Sequence, residues 1–417
     1  MYNQFNLRHS VLSFVLFACV LLGSSIEVKA RSRIILSGSK SITSQISTSD
    51  KGALYIVQEE INLRNKTVKL PQEAILQFEG GCFTNGGLIG NNTTIVAGRY
   101  EILKAVSLSG PWILDGIPAE WFGAVPNNAQ KDCADSINKA IEAGIMVNAP
   151  VLLGSGIYYT KSTINIPDKG AVIGLGAMQT TICFSPSSQI GVFVYGQYPT
   201  LRNIGVREDN MGRTGICIKV GDSKTKVSCT RGFIEDVKVM GGDRGLDLEY
   251  LWCNKITGVN SRYNNIGLYA NGTTPYVENA VIEANYEYGV FSEGSGIKLY
   301  NAIIEANKIG CVLNGRENLL NNCYFEGNSA SLLDKQASKD RNGVDIEGGH
   351  LYVGEQVNVG HLLMISCLFG DAKNYNNTIR IDKCQGLTAI GCNSLKNLKI
   401  TRNCIVKSID DSSYKTE

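Results

Sequence analysis

Three short stretches decide the fold: NAVIEAN at residues 279–285, NAIIEAN at 301–307 and NCYFEGN at 322–328. Counted from one opening Asn to the next, they are 22 and then 21 residues apart. A fourth unit, VNSRYN, ends at Asn264, which lies 21 residues before Asn285. Each unit is followed by glycine and a short apolar piece: Gly267-Leu268, Gly289-Val290 and Gly310-Cys311-Val312. Fainter copies precede them, with Gly245-Leu246 after Val237–Val239 and Gly215-Ile216 after Ile204–Val206. Apolar residues alternate with a period of two over a few positions and then stop at Asn or Gly, whereas a helical solenoid would show long runs at i, i+3, i+4. A repeat of about 22 residues built from short strands and tight turns reads as one coil of a parallel β-helix, each coil stacked on the last at roughly 4.8 Å. The closing Asn of each unit is expected in a left-handed turn, which Asn tolerates, with its amide bonded to the Asn of the next coil.

Outward from the repeat, Leu63 to Gly98 alternates in the same way and is punctuated by Gly-Gly and Asn-Gly, and so predicts further strands joined by tight turns. Glu120 to Gly144 breaks the texture. There Asp132 or Asp135 can cap a helix over about 132–144 that puts Ile137, Ala140, Ile141 and Gly144 on one face, where it would plug an exposed rung edge. Short strands resume from Ile157 to Phe184. Between the coil ending at Asn328 and the apolar strand that begins at His361, an insertion near 331–360 interrupts the period.

The composition agrees with an all-β chain: 417 residues, 45 Gly against 9 Pro, 43% hydrophobic, and a formal charge of +2. That excludes a disordered chain and gives no general basic field for nucleic acid or anionic membrane. Arg8 and His9, the apolar run Val11 to Gly23 and Val28-Lys29-Ala30 read as a secretory signal peptide over 1–30, cut after Ala30. The run is too short to span a membrane, and no later segment is long enough. A lipoprotein reading through Cys19 fits less well, because the apolar run continues past it. Cleavage brings the charge to +1 and leaves twelve cysteines with no CxxC pair, several of them inside apolar strand-like runs. They read as small core residues rather than as a disulfide framework or a zinc site. No cofactor is evident, and calcium is the one the sequence leaves open.

The run from Trp121-Phe-Gly-Ala124 through Asp132-Cys-Ala-Asp-Ser-Ile-Asn-Lys-Ala-Ile-Glu-Ala143, followed by GSGIYY and the turn Gly174-Leu-Gly176, resembles the N-terminal signature of the pectate-lyase-like superfamily of right-handed parallel β-helix proteins. That superfamily includes polysaccharide lyases, glycoside hydrolases and phage tailspike depolymerases. The resemblance implies a lead segment over 31–118, a β-helix over 119–417, export to the periplasm, cell surface or medium, and a polysaccharide partner. The matched residues are structural and name no catalytic group.

Aligned on the closing Asn, Arg262, Glu283, Glu305 and Glu326 fall in one column, each two residues before it. Stacked carboxylates raise one another's pKa, and Arg262 would neutralise Glu283. Adjacent rungs come close to the 5 to 5.5 Å of a retaining glycosidase pair, and alternate rungs, at roughly 9.6 Å, reach the upper edge of the inverting range. A solvated face repeated with the coil would produce the same column. β-Elimination from a uronic acid needs a cation for the carboxylate and a base for the α-proton, which Arg262, Tyr263, Tyr286 and Lys308 could supply. His350 and His361, at or near the ends of the insertion, are further candidates for acid and base, and Tyr286 and Tyr288, with Asn285 and Asn307, for sugar contacts. The reading favoured is an exported polysaccharide lyase that cleaves pectic or glycosaminoglycan-like chains by β-elimination; the alternatives are a glycoside hydrolase using two of the three glutamates and a non-catalytic glycan-binding or surface scaffold.

Overall fold

The computed structural model describes residues 32–273, 275–328, 348–354, 359–370, 379–395, 398–400 and 404–410. The signal peptide expected over 1–30 and most of the insertion near 331–360 lie outside them. Over the described residues the expected architecture holds: the chain is a parallel β-helix, and its lead segment is built on the same plan.

In the lead, Arg33–Ile35, Leu54–Val57, Ile75–Phe78, Thr93–Val96 and Trp112–Ile113 form one parallel sheet, and Glu60–Lys69, Cys82–Ile89 and Leu103–Ser109 form a second. The helix runs over Ala134–Val147, two to three residues further along than its sequence signals predict, and buries Ile137, Ala140, Ile141 and Gly144. Asp132 acts from outside the helix, its Oδ1 accepting from the backbone N–H of Ala134 (3.0 Å) and of Lys161 (3.1 Å). The helix packs between the lead strand Leu103–Ser109 and the first strand of the main sheet, Ile164–Ile166, where it covers an otherwise open end.

The main body has a ten-stranded parallel sheet that runs from Ile164–Ile166 through Ile190–Val194, Ile216–Val220, Arg244–Leu248, Ile266–Ala270, Tyr288–Ser292 and Ile309–Leu313 to Leu398–Ile400. The rest of each coil starts as one long strand, as in Lys255–Arg262, and then divides into two: Tyr276–Glu278 and Val281–Glu283, Lys298–Tyr300 and Ile303–Glu305, Glu317–Asn321 and Tyr324–Glu326. Between the paired strands stand Asn279, Asn301 and Asn322, each with φ near +53°, so it is the opening Asn of each repeat unit that makes a left-handed bend. Inside, like residues stack in register: Ile234, Ile256, Val277, Leu299, Leu320 and Met364 form one buried column.

The closing Asn of each unit behaves differently from expectation. The left-handed position belongs to the residue before it, namely Tyr263, Ala284, Ala306 and Gly327. That bend turns the next side chain inward, and Asn264, Asn285, Asn307 and Asn328 are fully buried. Their amides do stack. Nδ2 donates to Oδ1 of the next coil at 3.2 Å (Asn264 to Asn285), 2.9 Å (Asn285 to Asn307) and 3.0 Å (Asn307 to Asn328). Each acceptor oxygen also takes a backbone N–H from the coil before, which gives buried amides the partners they need.

Candidate functional site

The strand register sets the carboxylate column. Arg262 pairs with Glu283, Glu283 with Glu305, and Glu305 with Glu326, all facing outward on the wall formed by the second strand of each divided coil. Arg262 Nη1 lies 3.2 Å from Glu283 Oε1. Partial burial, with Glu283 and then Glu326 as like charges on either side and a hydrogen bond shared with Glu283, holds the Glu305 carboxyl above the ordinary 4.5. The two ends of the column differ from its middle. At one end Glu283 is tied to a guanidinium, and at the other the Tyr324 hydroxyl donates to Glu326 Oε2 at 2.8 Å, with Glu326 itself exposed.

Beside Arg262 lies a second cation, Lys238, whose pKa is lowered by burial and then by Arg262. Two polar atoms here, Arg262 Nε and Asn260 Oδ1, are buried and have no hydrogen-bond partner among the described residues. The Arg262 guanidinium also lies 4.6 Å over the Tyr263 ring and donates to its hydroxyl at 2.9 Å.

The remaining sequence candidates are dispersed. Asn285 and Asn307 are corrected: fully buried members of the amide ladder, they cannot meet a sugar. His350 is corrected as well. Fully buried, it closes the same ladder, with Nδ1 3.2 Å from Asn328 Nδ2 and Nε2 3.2 Å from the Gly370 carbonyl. The amide donates to Nδ1, so the ring carries its proton on Nε2 and is committed to structure. Lys308 is buried at the turn after the ladder, not displayed on the surface. His361 is exposed on the other wall, 3.0 Å from Glu317. Tyr286 stacks under Arg213 at 3.9 Å, and Tyr288 is buried against Phe291 on the outer side of the ten-stranded sheet. Arg262, Tyr263 and the three glutamates are therefore the candidates that the fold brings together. Among the described residues no three His, Cys, Asp or Glu side chains converge as metal ligands, and no helix is long and apolar enough to cross a membrane.

A second charged cluster escaped the sequence reading. Lys219, Asp247 and Tyr269 follow one another outward along the ten-stranded sheet. Arg244 lies 3.6 Å over the Tyr269 ring and 2.8 Å from Asp247, Lys219 lies 3.7 Å from Glu249, and the Tyr269 hydroxyl donates to Glu293 at 2.8 Å. A signal was present: each charged residue sits between apolar neighbours, as in Ile218-Lys219-Val220 and Leu246-Asp247-Leu248. Asp247 is wholly buried, and its Oδ1 has no hydrogen-bond partner among the described residues. Burial outweighs the attraction of Arg244 and, with help from Glu249, pushes its pKa up to about 6 from 3.8. The folded chain thus holds this proton more tightly than the unfolded chain. The resulting stability is complete below pH 3.8 and is lost as pH rises through about 6. Asp247→Asn keeps an acceptor for Arg244 but cannot ionise, so its urea midpoint is expected to fall less than that of the unmodified chain between about pH 4 and pH 7. Parallel curves for the two proteins would contradict this.

The sequence profile of the family described as "right handed beta helix region" matches residues 190–354. No curated protein matches the sequence. Among solved structures, the ORF18 protein of Geobacillus virus E2 aligns at 14% identity over 69% of this chain and 62% of its own, with a TM-score of 0.43. The Agl-KA catalytic domain aligns at 12% identity over 70% and 68% of the two chains, with a TM-score of 0.42. The A-module of the mannuronan C-5 epimerase AlgE6 of Azotobacter vinelandii aligns at 18% identity over 68% and 72%, with a TM-score of 0.37. This chain spans 62% of the first of these structures. None of these likenesses assigns a role to a residue.

Proposed function

The chain is a right-handed parallel β-helix protein, and on that premise we propose that it is an exported carbohydrate-active enzyme that hydrolyses a glycosidic bond at the Glu283–Glu305 pair. One observation carries the reading. Two neighbouring carboxyl groups sit in opposed environments, Glu283 ion-paired to Arg262 and Glu305 held toward its protonated form between two other carboxylates. Such a split assigns the acid and the nucleophile of a glycosidase. Glu305 protonates the leaving oxygen, and Glu283, on the adjacent rung, attacks the anomeric carbon once the bound sugar has parted the hydrogen bond that the two carboxyls share; a pair on adjacent rungs suits retention of configuration. Glu326 sustains the raised pKa of Glu305.

β-Elimination at the same place has one observation in its favour, the crowding of Lys238 and Arg262, which suits the carboxylate of a uronic acid. Incubation of the exported chain with a panel of neutral and uronate polysaccharides, read by reducing ends and by the ultraviolet absorbance of unsaturated uronates, separates the readings. New reducing ends without absorbance are expected. Absorbance would overturn hydrolysis in favour of elimination, and silence in both readouts would favour a binding scaffold.

A further inference from the structure

The twelve cysteines of the described residues are all unpaired, yet two of them meet at the end of the solenoid. Cys384 opens the strand Cys384–Ile390, and Cys404 lies two residues before the last described strand, Val406–Asp410. The backbone N–H of Ile405 donates to the Cys384 carbonyl at 2.8 Å, and Leu387 N–H donates to the Ile405 carbonyl at 2.9 Å, which holds the two cysteines on adjacent rungs. Their thiols share a hydrogen bond. Adjacent rungs at roughly 4.8 Å fall inside the 4.4 to 6.8 Å window of Cα separations that a disulfide accepts.

We propose that Cys384 and Cys404 form a disulfide that staples the last coil to the body of the β-helix. Three features single out this pair. Cys323, Cys367 and Cys392 also stack from coil to coil, but all three are sealed in the interior, whereas Cys404 is partly exposed and open to a soluble oxidant. The hydrogen bond that Cys384 and Cys404 share draws the Cys384 thiol down to about 7 and raises that of Cys404, so once the oxidant has capped the accessible Cys404, the buried Cys384 supplies the thiolate that displaces the cap. The last strand is also the one that needs holding. Four of its five residues are exposed, and among the described residues one strand alone pairs with it. The step balances with a small disulfide as oxidant: the two thiols give up two protons and two electrons, one S–S bond forms in the chain, and the oxidant leaves as two thiols.

The test uses the full chain carrying Cys253→Ser, since Cys253 is exposed and would react on its own. The protein is equilibrated with glutathione disulfide, unfolded in N-ethylmaleimide, digested with trypsin and read by mass spectrometry. Fragment ions are needed to separate Cys384 from Cys392, because the two share a tryptic peptide. The expected product is a single crosslink joining Cys384 to Cys404, abolished by Cys404→Ser, with Cys323, Cys367 and Cys392 recovered as alkylated thiols. The oxidised chain should also resist carboxypeptidase at its C-terminal end better than the reduced chain. Recovery of both Cys384 and Cys404 as alkylated or glutathione-capped residues, or a crosslink of either to another cysteine, would overturn the proposal.

Discussion

Glu305→Gln is expected to lower turnover of the responsive polysaccharide by about 10²- to 10⁴-fold, the range typical of losing a general acid. The amide keeps the size and an acceptor but has no acidic proton to give the leaving oxygen. Because the native carboxyl sits between Glu283 and Glu326, its replacement also removes like-charge repulsion, so the thermal midpoint should hold or rise while activity falls. That opposition separates a catalytic loss from a folding defect. Glu326→Gln should behave otherwise. With one of the two flanking charges gone, the pKa of Glu305 drops, and the alkaline limb of the pH–rate profile should move to lower pH with only a modest loss at the optimum. Unimpaired activity in Glu305→Gln, measured by initial rates of reducing-end release, would remove the column from the chemistry.

Asn307→Leu is expected to be the most damaging of the ladder substitutions, at about 3 to 5 kcal/mol in urea denaturation. Asn307 Oδ1 accepts from the backbone N–H and the side-chain amide of Asn285, and its Nδ2 donates to Asn328 Oδ1 and to the Ile282 carbonyl. Leucine leaves the two donors of Asn285 and the Ile282 carbonyl without this partner in a dry interior, each at a cost of about 1 to 3 kcal/mol, partly offset by the added apolar surface. Asn301 is the control. Its amides also stack, 3.3 Å to Asn279 and 2.9 Å from Asn322, but they face solvent. Asn301→Gly keeps the left-handed bend, and water replaces the lost bonds, so a change within about 0.5 kcal/mol is expected. Equal losses at the two positions would contradict the distinction between inner and outer ladders.

Both asparagines of each unit were visible in the sequence, and so was their period, but their roles were not. The spacing of 21 to 22 residues fixes what lies above what, and for that reason the column Arg262, Glu283, Glu305 and Glu326 could be drawn before any coordinates. Spacing does not fix which side of the wall a residue faces, because one left-handed residue reverses the parity of all that follow. Tyr263, Ala284 and Ala306 take that conformation although two of them are alanine, a residue with no local preference for it. Asn285 and Asn307 consequently lie in the core, where the period alone suggests the surface, and His350, a candidate acid or base by sequence, is the end of a buried chain of amides. The Lys219–Asp247 cluster was obscured differently. Its rungs carry loops of unequal length, so the residues stand 28 positions apart, outside the period on which the other coils align.

The most direct measurement of the central claim is a proton NMR spectrum recorded during the first minutes of cleavage of a polysaccharide that yields reducing ends. Attack by Glu283 with Glu305 as the acid is expected to release a sugar with the anomeric configuration of the bond that was cut, followed by slow mutarotation. First release of the opposite anomer, or the vinyl proton of an unsaturated uronate, would contradict it.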